Sequence, residues 1–132
     1  MADLGREAVS AARPTVLVVE DDALMAAALG RTLRMLGLQV AQTANAIEAL
    51  RWLGAGGVPA VVISDNRMPG MSGVHLLEHV AQLAPDALLV LHTGDADVTL
   101  ALEPGMAICV LAKPVPPRLL ERLLGAFVTR GR

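Results

Sequence analysis

The sequence has no tyrosine, one phenylalanine, one tryptophan, one cysteine and one lysine. Cys109 has no second cysteine to join, so no intrachain disulfide forms, and its apolar surroundings read as a buried thiol in a reducing cytoplasm. No apolar run approaches the roughly 20 residues needed to span a bilayer, which argues against membrane insertion. Residues 1–14 carry Asp3, Arg6, Glu7 and Arg13 without an apolar signal core, and read as a short disordered leader. Internal repeats, linkers and low-complexity tracts are missing too. So is any excess of positive charge: a net charge of −2 gives no electrostatic reason to expect nucleic acid or an anionic surface as partner.

What the chain does have is apolar bulk. Its 132 residues suit one domain, and 54% of them are apolar, enough for a core without metal or disulfide support. Five stretches read as strands, the first of them a continuous β-branched and aliphatic run: Thr15–Val19, Leu38–Thr43, Ala60–Ser64, Ala87–His92 and Ala107–Ala112. Between them the period shifts to that of a helix. Met25, Leu29, Leu33 and Leu36 share one face before Gly37, with Arg31 and Arg34 off it. Ile47, Leu50 and Leu53 recur in the next helix, Ala46–Ala55. Ser72 caps a third, with Val74, Leu77, Val80 and Ala81 inward and His75, Glu78, His79 and Gln82 outward. A short fourth helix is expected from Asp95 to Glu103, before Pro104-Gly105. A fifth starts at Pro116-Pro117 and presents Leu119, Leu120, Leu123, Leu124 and Phe127. Strands that are apolar on both faces and alternate with helices imply a parallel sheet covered on each side, an α/β fold.

Right-handed crossovers bring all the strand carboxyl ends to one rim, where ligands bind in open parallel sheets. The residues there are Glu20-Asp21-Asp22, Asp65, Thr93 and Lys113. Carboxylates gathered in one pocket repel by up to about 4 kcal/mol per pair at 4 Å and an effective dielectric near 20. A hard divalent cation relieves that repulsion, and all-oxygen ligands favour magnesium. The cation would neutralise an incoming phosphoryl group and leave Asp65 to attack it. Thr93 and Lys113 would bind the remaining phosphoryl oxygens. Lys113 is the only lysine beside ten arginines, which suggests a site that needs a compact ammonium. Asp22 reads as the cap of the first helix.

These motifs resemble the receiver domains of two-component response regulators. They are Val-Val-Glu-Asp-Asp, Ser-Asp-Asn-Arg-Met-Pro-Gly-Met-Ser-Gly, His-Thr-Gly and Leu-Ala-Lys-Pro-Val, in that order, and the match covers about Thr15 to Val128. The resemblance implies a doubly wound five-stranded sheet of order 2-1-3-4-5 with five helices, over a domain of 15–129. It implies that Asp65 is the phosphoacceptor, with magnesium bound directly by Asp21, through water by Glu20, and by Asp65 and the Arg67 backbone carbonyl. Thr93 becomes the switch hydroxyl, Lys113 the phosphate-binding ammonium, and the Lys113-Pro114 bond cis. The implied partners are a histidine kinase or phosphotransfer protein and a downstream protein; nucleic acid and membrane are not among them. Such a domain is no conventional enzyme, since it catalyses its own phosphorylation and slow hydrolysis.

The chain departs from the family at Val110, where an aromatic switch residue is usual. Signalling is then expected to run through rearrangement around Thr93 or through the first-helix face. Arg67 and Asp95 hold the two positions that tune phosphate lifetime in the family. They either pair across the pocket mouth or are solvated loop charges. Val98, Leu100, Leu102 and Met106 read as core, or as an apolar partner or homodimer surface on the face of the fourth helix, fifth strand and fifth helix. His75 and His79 have zinc-compatible spacing but no third ligand. His92 is expected to hydrogen-bond in or near the core. Met25, Met35, Met68, Met71 and Met106 read as gap fillers, and Trp52 as helix packing.

Other functions fit less well. A phosphorylation-independent binding module of the same fold is favoured by Val110 alone. A dehalogenase-type phosphatase needs a second acid two residues after its nucleophile, where this chain has Arg67. A nucleotide or flavin site needs a Gly-rich or hydroxyl-rich loop after the first strand, where the acids would repel phosphate. No output domain is expected after the last helix. The chain therefore acts by protein contact or as a relay intermediate, or is a receiver excised from a longer protein.

Overall fold

A computed structural model describes residues 13–94 and 107–130. The elements in chain order are β1 (Thr15–Val19), α1 (Ala23–Met35), β2 (Gln39–Thr43), α2 (Ala46–Gly54), β3 (Val61–Ser64), α3 (Gly73–Leu83), β4 (Leu88–Thr93), β5 (Ile108–Ala112) and α4 (Pro117–Arg130). The strands form one parallel sheet of order β2-β1-β3-β4-β5, as the resemblance implies. Four helices are seen where five were expected. The expected fourth, Asp95–Glu103, lies outside the described residues, so α4 here is the fifth of the sequence reading. Met106 and the apolar cluster from Val98 also lie outside them, as do residues 1–12 of the expected leader.

The sheet separates two cores. On one side Leu17, Val19, Val62, Leu89 and Leu91 pack against Ala46 and Ala49 of α2 and Val74, Leu76, Leu77 and Val80 of α3. On the other, Val16, Val18, Val61, Ile63, Val90 and Leu111 meet Leu29 and Leu33 of α1 and Leu120 and Leu124 of α4. Alternation along each strand feeds the two sides in turn, which is why the inner strands β1, β3 and β4 are apolar along most of their length. At an edge of the sheet, β2 is never fully buried along its length.

Asp22 Oδ1 accepts from the Leu24 and Met25 N–H groups and caps α1, as its position after β1 predicts. Gly37 ends that helix at φ 93°, a conformation that glycine adopts without strain. Three helix faces differ from the expected ones. Ile47 is 63% exposed, and α2 turns Ala46 and Ala49 to the sheet instead. Residues three apart drift around a helix of 3.6 residues per turn, so the Ile47-Leu50-Leu53 row does not stay on the buried face. In α3, Leu76 is buried and Ala81 is exposed. Leu119 of α4 is 42% exposed, Met35 lies on the surface of α1, and Cys109 is only half-buried in β5. Trp52 packs on Gly57, where a Cβ would strike the indole.

Candidate functional site

β1 and β3 deliver the acids side by side. The two strands pair through Val19 and Ser64, so the residues that follow, Glu20 and Asp65, leave the sheet as neighbours. The Asp65 N–H donates to the Val19 carbonyl at 2.9 Å, which extends the ladder by one residue. Glu20 and Asp65 are buried, at 3% and 8% exposure, while Asp21 is exposed at the rim. One carboxylate oxygen from each of the three lies within 4.8 Å of the others.

Lys113 reaches this cluster from the end of β5. Its Nζ is 2.9 Å from Glu20 Oε1 and 3.2 Å from Asp65 Oδ2. Glu20 Oε1 is held by Lys113, while its Oε2 accepts from the Asp22 N–H at 3.2 Å. Burial raises the Glu20 pKa, and the Asp65 charge adds to the rise, against the lowering effects of the Lys113 and Asp22 hydrogen bonds. Burial pulls the Lys113 pKa down, but the Glu20 hydrogen bond and the Asp65 charge outweigh it and leave it raised. The ammonium therefore stays charged, but one ammonium against three carboxylates leaves an excess of negative charge. That excess, on oxygen donors alone, fits a hard divalent cation such as magnesium.

Thr93 ends β4 and is 4% exposed. Its carbonyl accepts from the Lys113 N–H at 3.0 Å, which brings the hydroxyl-bearing residue and the ammonium-bearing residue to the same rim. The Lys113-Pro114 bond is cis. Arg67 is exposed in the loop after Asp65, and Asp95 lies outside the described residues, as does any pairing between the two. Val110 is half-buried on β5 and packs against the α2–α3 core. His75 and His79 are exposed on α3. Among the described residues only Glu20, Asp21 and Asp65 form a cluster of three potential metal ligands.

Two residues that shape the site were not anticipated. The Asn66 side chain accepts from the Val74 N–H at 3.1 Å, and its carbonyl accepts from the Gly73 N–H at 2.9 Å. A Cβ on Gly73 would collide with the Asp65 carbonyl oxygen, so only glycine lets α3 start this close to the loop after β3. A glycine at the first position of a helix, where alanine would propagate better, was the available signal. Ser72, which was anticipated, accepts from the His75 N–H and completes the cap.

A family model described as the response regulator receiver domain matches residues 16–124. The C4-dicarboxylate transport transcriptional regulatory protein DctD of Pseudomonas aeruginosa is 38% identical over 122 residues, covering 90% of this chain and 26% of that protein. The sensor histidine kinase RcsC of Salmonella typhimurium is 31% identical over 145 residues, covering 98% of this chain and 15% of that protein. This chain thus spans about a quarter or less of the length of these relatives. Among solved structures, the signal receiver domain of an HD domain-containing protein from Pseudomonas fluorescens superposes with a TM-score of 0.78 at 28% identity, over 90% of this chain and 97% of that one.

Proposed function

The chain belongs to the response regulator receiver family, and on that premise we propose that residues 15–129 form a domain phosphorylated on Asp65 by a histidine kinase or phosphotransfer protein. One observation carries the reading: Lys113 Nζ lies between Glu20 Oε1 and Asp65 Oδ2 at the carboxyl edge of the sheet. A lysine that served stability alone would need no third carboxylate beside the pair.

In the reaction, a carboxylate oxygen of Asp65 attacks phosphorus, the bond to the donor breaks, and the leaving group departs with the electron pair. Lys113 shifts its contact from the Asp65 carboxylate to a phosphoryl oxygen, and the Thr93 hydroxyl donates to another. Magnesium, held by Glu20, Asp21, Asp65 and the Arg67 carbonyl, supplies charge neutralisation when bound. Water later cleaves the acyl phosphate to Asp65 and inorganic phosphate, with Arg67 and Asp95 governing its access. The phosphorylated state is passed to a protein partner by contact.

Incubation with acetyl phosphate and magnesium, read by intact mass, tests this. One added phosphoryl group is expected, absent from Asp65→Asn and absent without magnesium. Val110 favours a second reading, a binding module that works without phosphorylation. Failure of both phosphoryl uptake and magnesium binding would select it.

A further inference from the structure

The segment after β5 reads Lys113-Pro114-Val115-Pro116-Pro117. Proline has no N–H, so Val115 supplies the only backbone donor between Lys113 and Arg118. That donor goes to a side chain on another strand: the Val115 N–H lies 3.2 Å from His92 Nε2. His92 precedes Thr93 on β4, and the Thr93 carbonyl accepts the Lys113 N–H at 3.0 Å. Consecutive residues of β4 thus hold the chain on both sides of Lys113, one by its backbone and the other by its ring.

The ring stands in the layer between α1 and α4. It is 2% exposed and borders a cavity of about 160 Å³ lined by Met25, Leu29, Thr32, Pro114 and Leu120 among others. With Nε2 accepting, a neutral imidazole carries its proton on Nδ1, and Nδ1 has no partner among the described residues. An apolar side chain would fill the space but would offer Val115 no acceptor. Burial and the nearby Lys113 charge hold the His92 pKa below its ordinary value, against the pull of Asp65, which keeps the acceptor form in place.

We propose that His92 is a positioning residue for phosphoryl transfer, holding Lys113 against Asp65 through the Val115 N–H. The proposal rests on the receiver reading above. It concerns the hold on Lys113, whose ammonium also pairs with Glu20 and Asp65 of the proposed cation site.

The test compares wild type with His92→Leu, His92→Met and His92→Gln, since glutamine restores an acceptor and the apolar pair restores only bulk. The initial rate of acetyl phosphate labelling is expected to fall by about tenfold or more in the Leu and Met variants, the scale of a misplaced reactive group. The Gln variant should recover most of that rate. Amide hydrogen exchange should show Val115 protected in wild type and His92→Gln but open in the apolar variants. Labelling is compared at saturating magnesium, because Lys113 pairs with two of the proposed cation ligands. Apolar variants that label as fast as wild type, or a Gln variant no better than they are, would overturn the role of His92. A wild type that takes up no phosphoryl group would instead overturn the receiver reading, and this proposal with it.

Discussion

The loop after β3 and the loop after β5 meet at one acidic cluster but are held by different means. The first is fastened along its length: Asp65 to Val19, Gly73 to the Asn66 carbonyl, Val74 to the Asn66 side chain. Gly70, at φ 86°, turns the chain in between. The second is largely proline and hangs from the end of β4, through the Thr93 carbonyl and the His92 ring. The acid is thus built into the backbone scaffold, whereas the ammonium rests on a few replaceable contacts. In the proposed phosphoryl transfer the nucleophile stays fixed while the ammonium changes partner, and the two loops are divided along that line.

Gly73→Ala should break the rigid side most severely. Its Cβ has no room beside the Asp65 carbonyl, and overpacking of that kind costs about 3 kcal/mol, readable as a lower urea midpoint. Loss of phosphoryl uptake should accompany it. A smaller effect is expected for Asn66→Ala, which removes the acceptor of the Val74 N–H at the start of α3. About 1 kcal/mol is typical of a lost cap, again by denaturant titration. Wild-type stability after both substitutions would mean that the Asp65 loop is no better fastened than the other.

The electrostatic contrast gives weaker tests. Magnesium at ten times its dissociation constant should stabilise the protein by about 1.4 kcal/mol in calorimetry, and Glu20→Gln should reduce that gain at equal concentration. The smallest effect concerns pH. The folded-state pKa of His92 is lowered, so its contribution to stability is complete above the unfolded value near 6.5 and is lost as pH falls through the folded value. Glu20 runs the other way: its pKa is raised, so stability is lost as pH rises through the folded value. His92→Gln should therefore flatten the acid side of the stability profile and leave the Glu20 contribution in place. An unchanged profile would mean that the ring does not differ in protonation between folded and unfolded states.

Much of this arrangement was legible in the sequence because the chemistry sits at element boundaries. Asp65 and Lys113 each follow an apolar strand directly, so finding the strand located the side chain, and the observed strand ends differ from the expected ones by about a residue. The faces of helices were harder to read. Ile47 and Leu119 look like core by type, yet α2 approaches the sheet through Ala46 and Ala49, and small residues are what allow close approach. Hydrophobicity alone does not mark them. The link from His92 to Val115 joins positions 23 apart; a hydrogen bond by His92 in or near the core was expected, but its partner was not legible at that separation. The work of Asn66 and Gly73 is steric and local to a loop, where periodicity says nothing.

Because Lys113 is the only lysine, the protein offers reagents that acylate amines a single side-chain target beside the α-amino terminus. Acylation requires the free base, and the ion pairs that raise the Lys113 pKa keep that fraction small. Its labelling rate is therefore a footprint of the pocket, reporting without any tag or probe whether the ammonium is still engaged. An acetyl group placed there would erase the charge and both ion pairs in one modification.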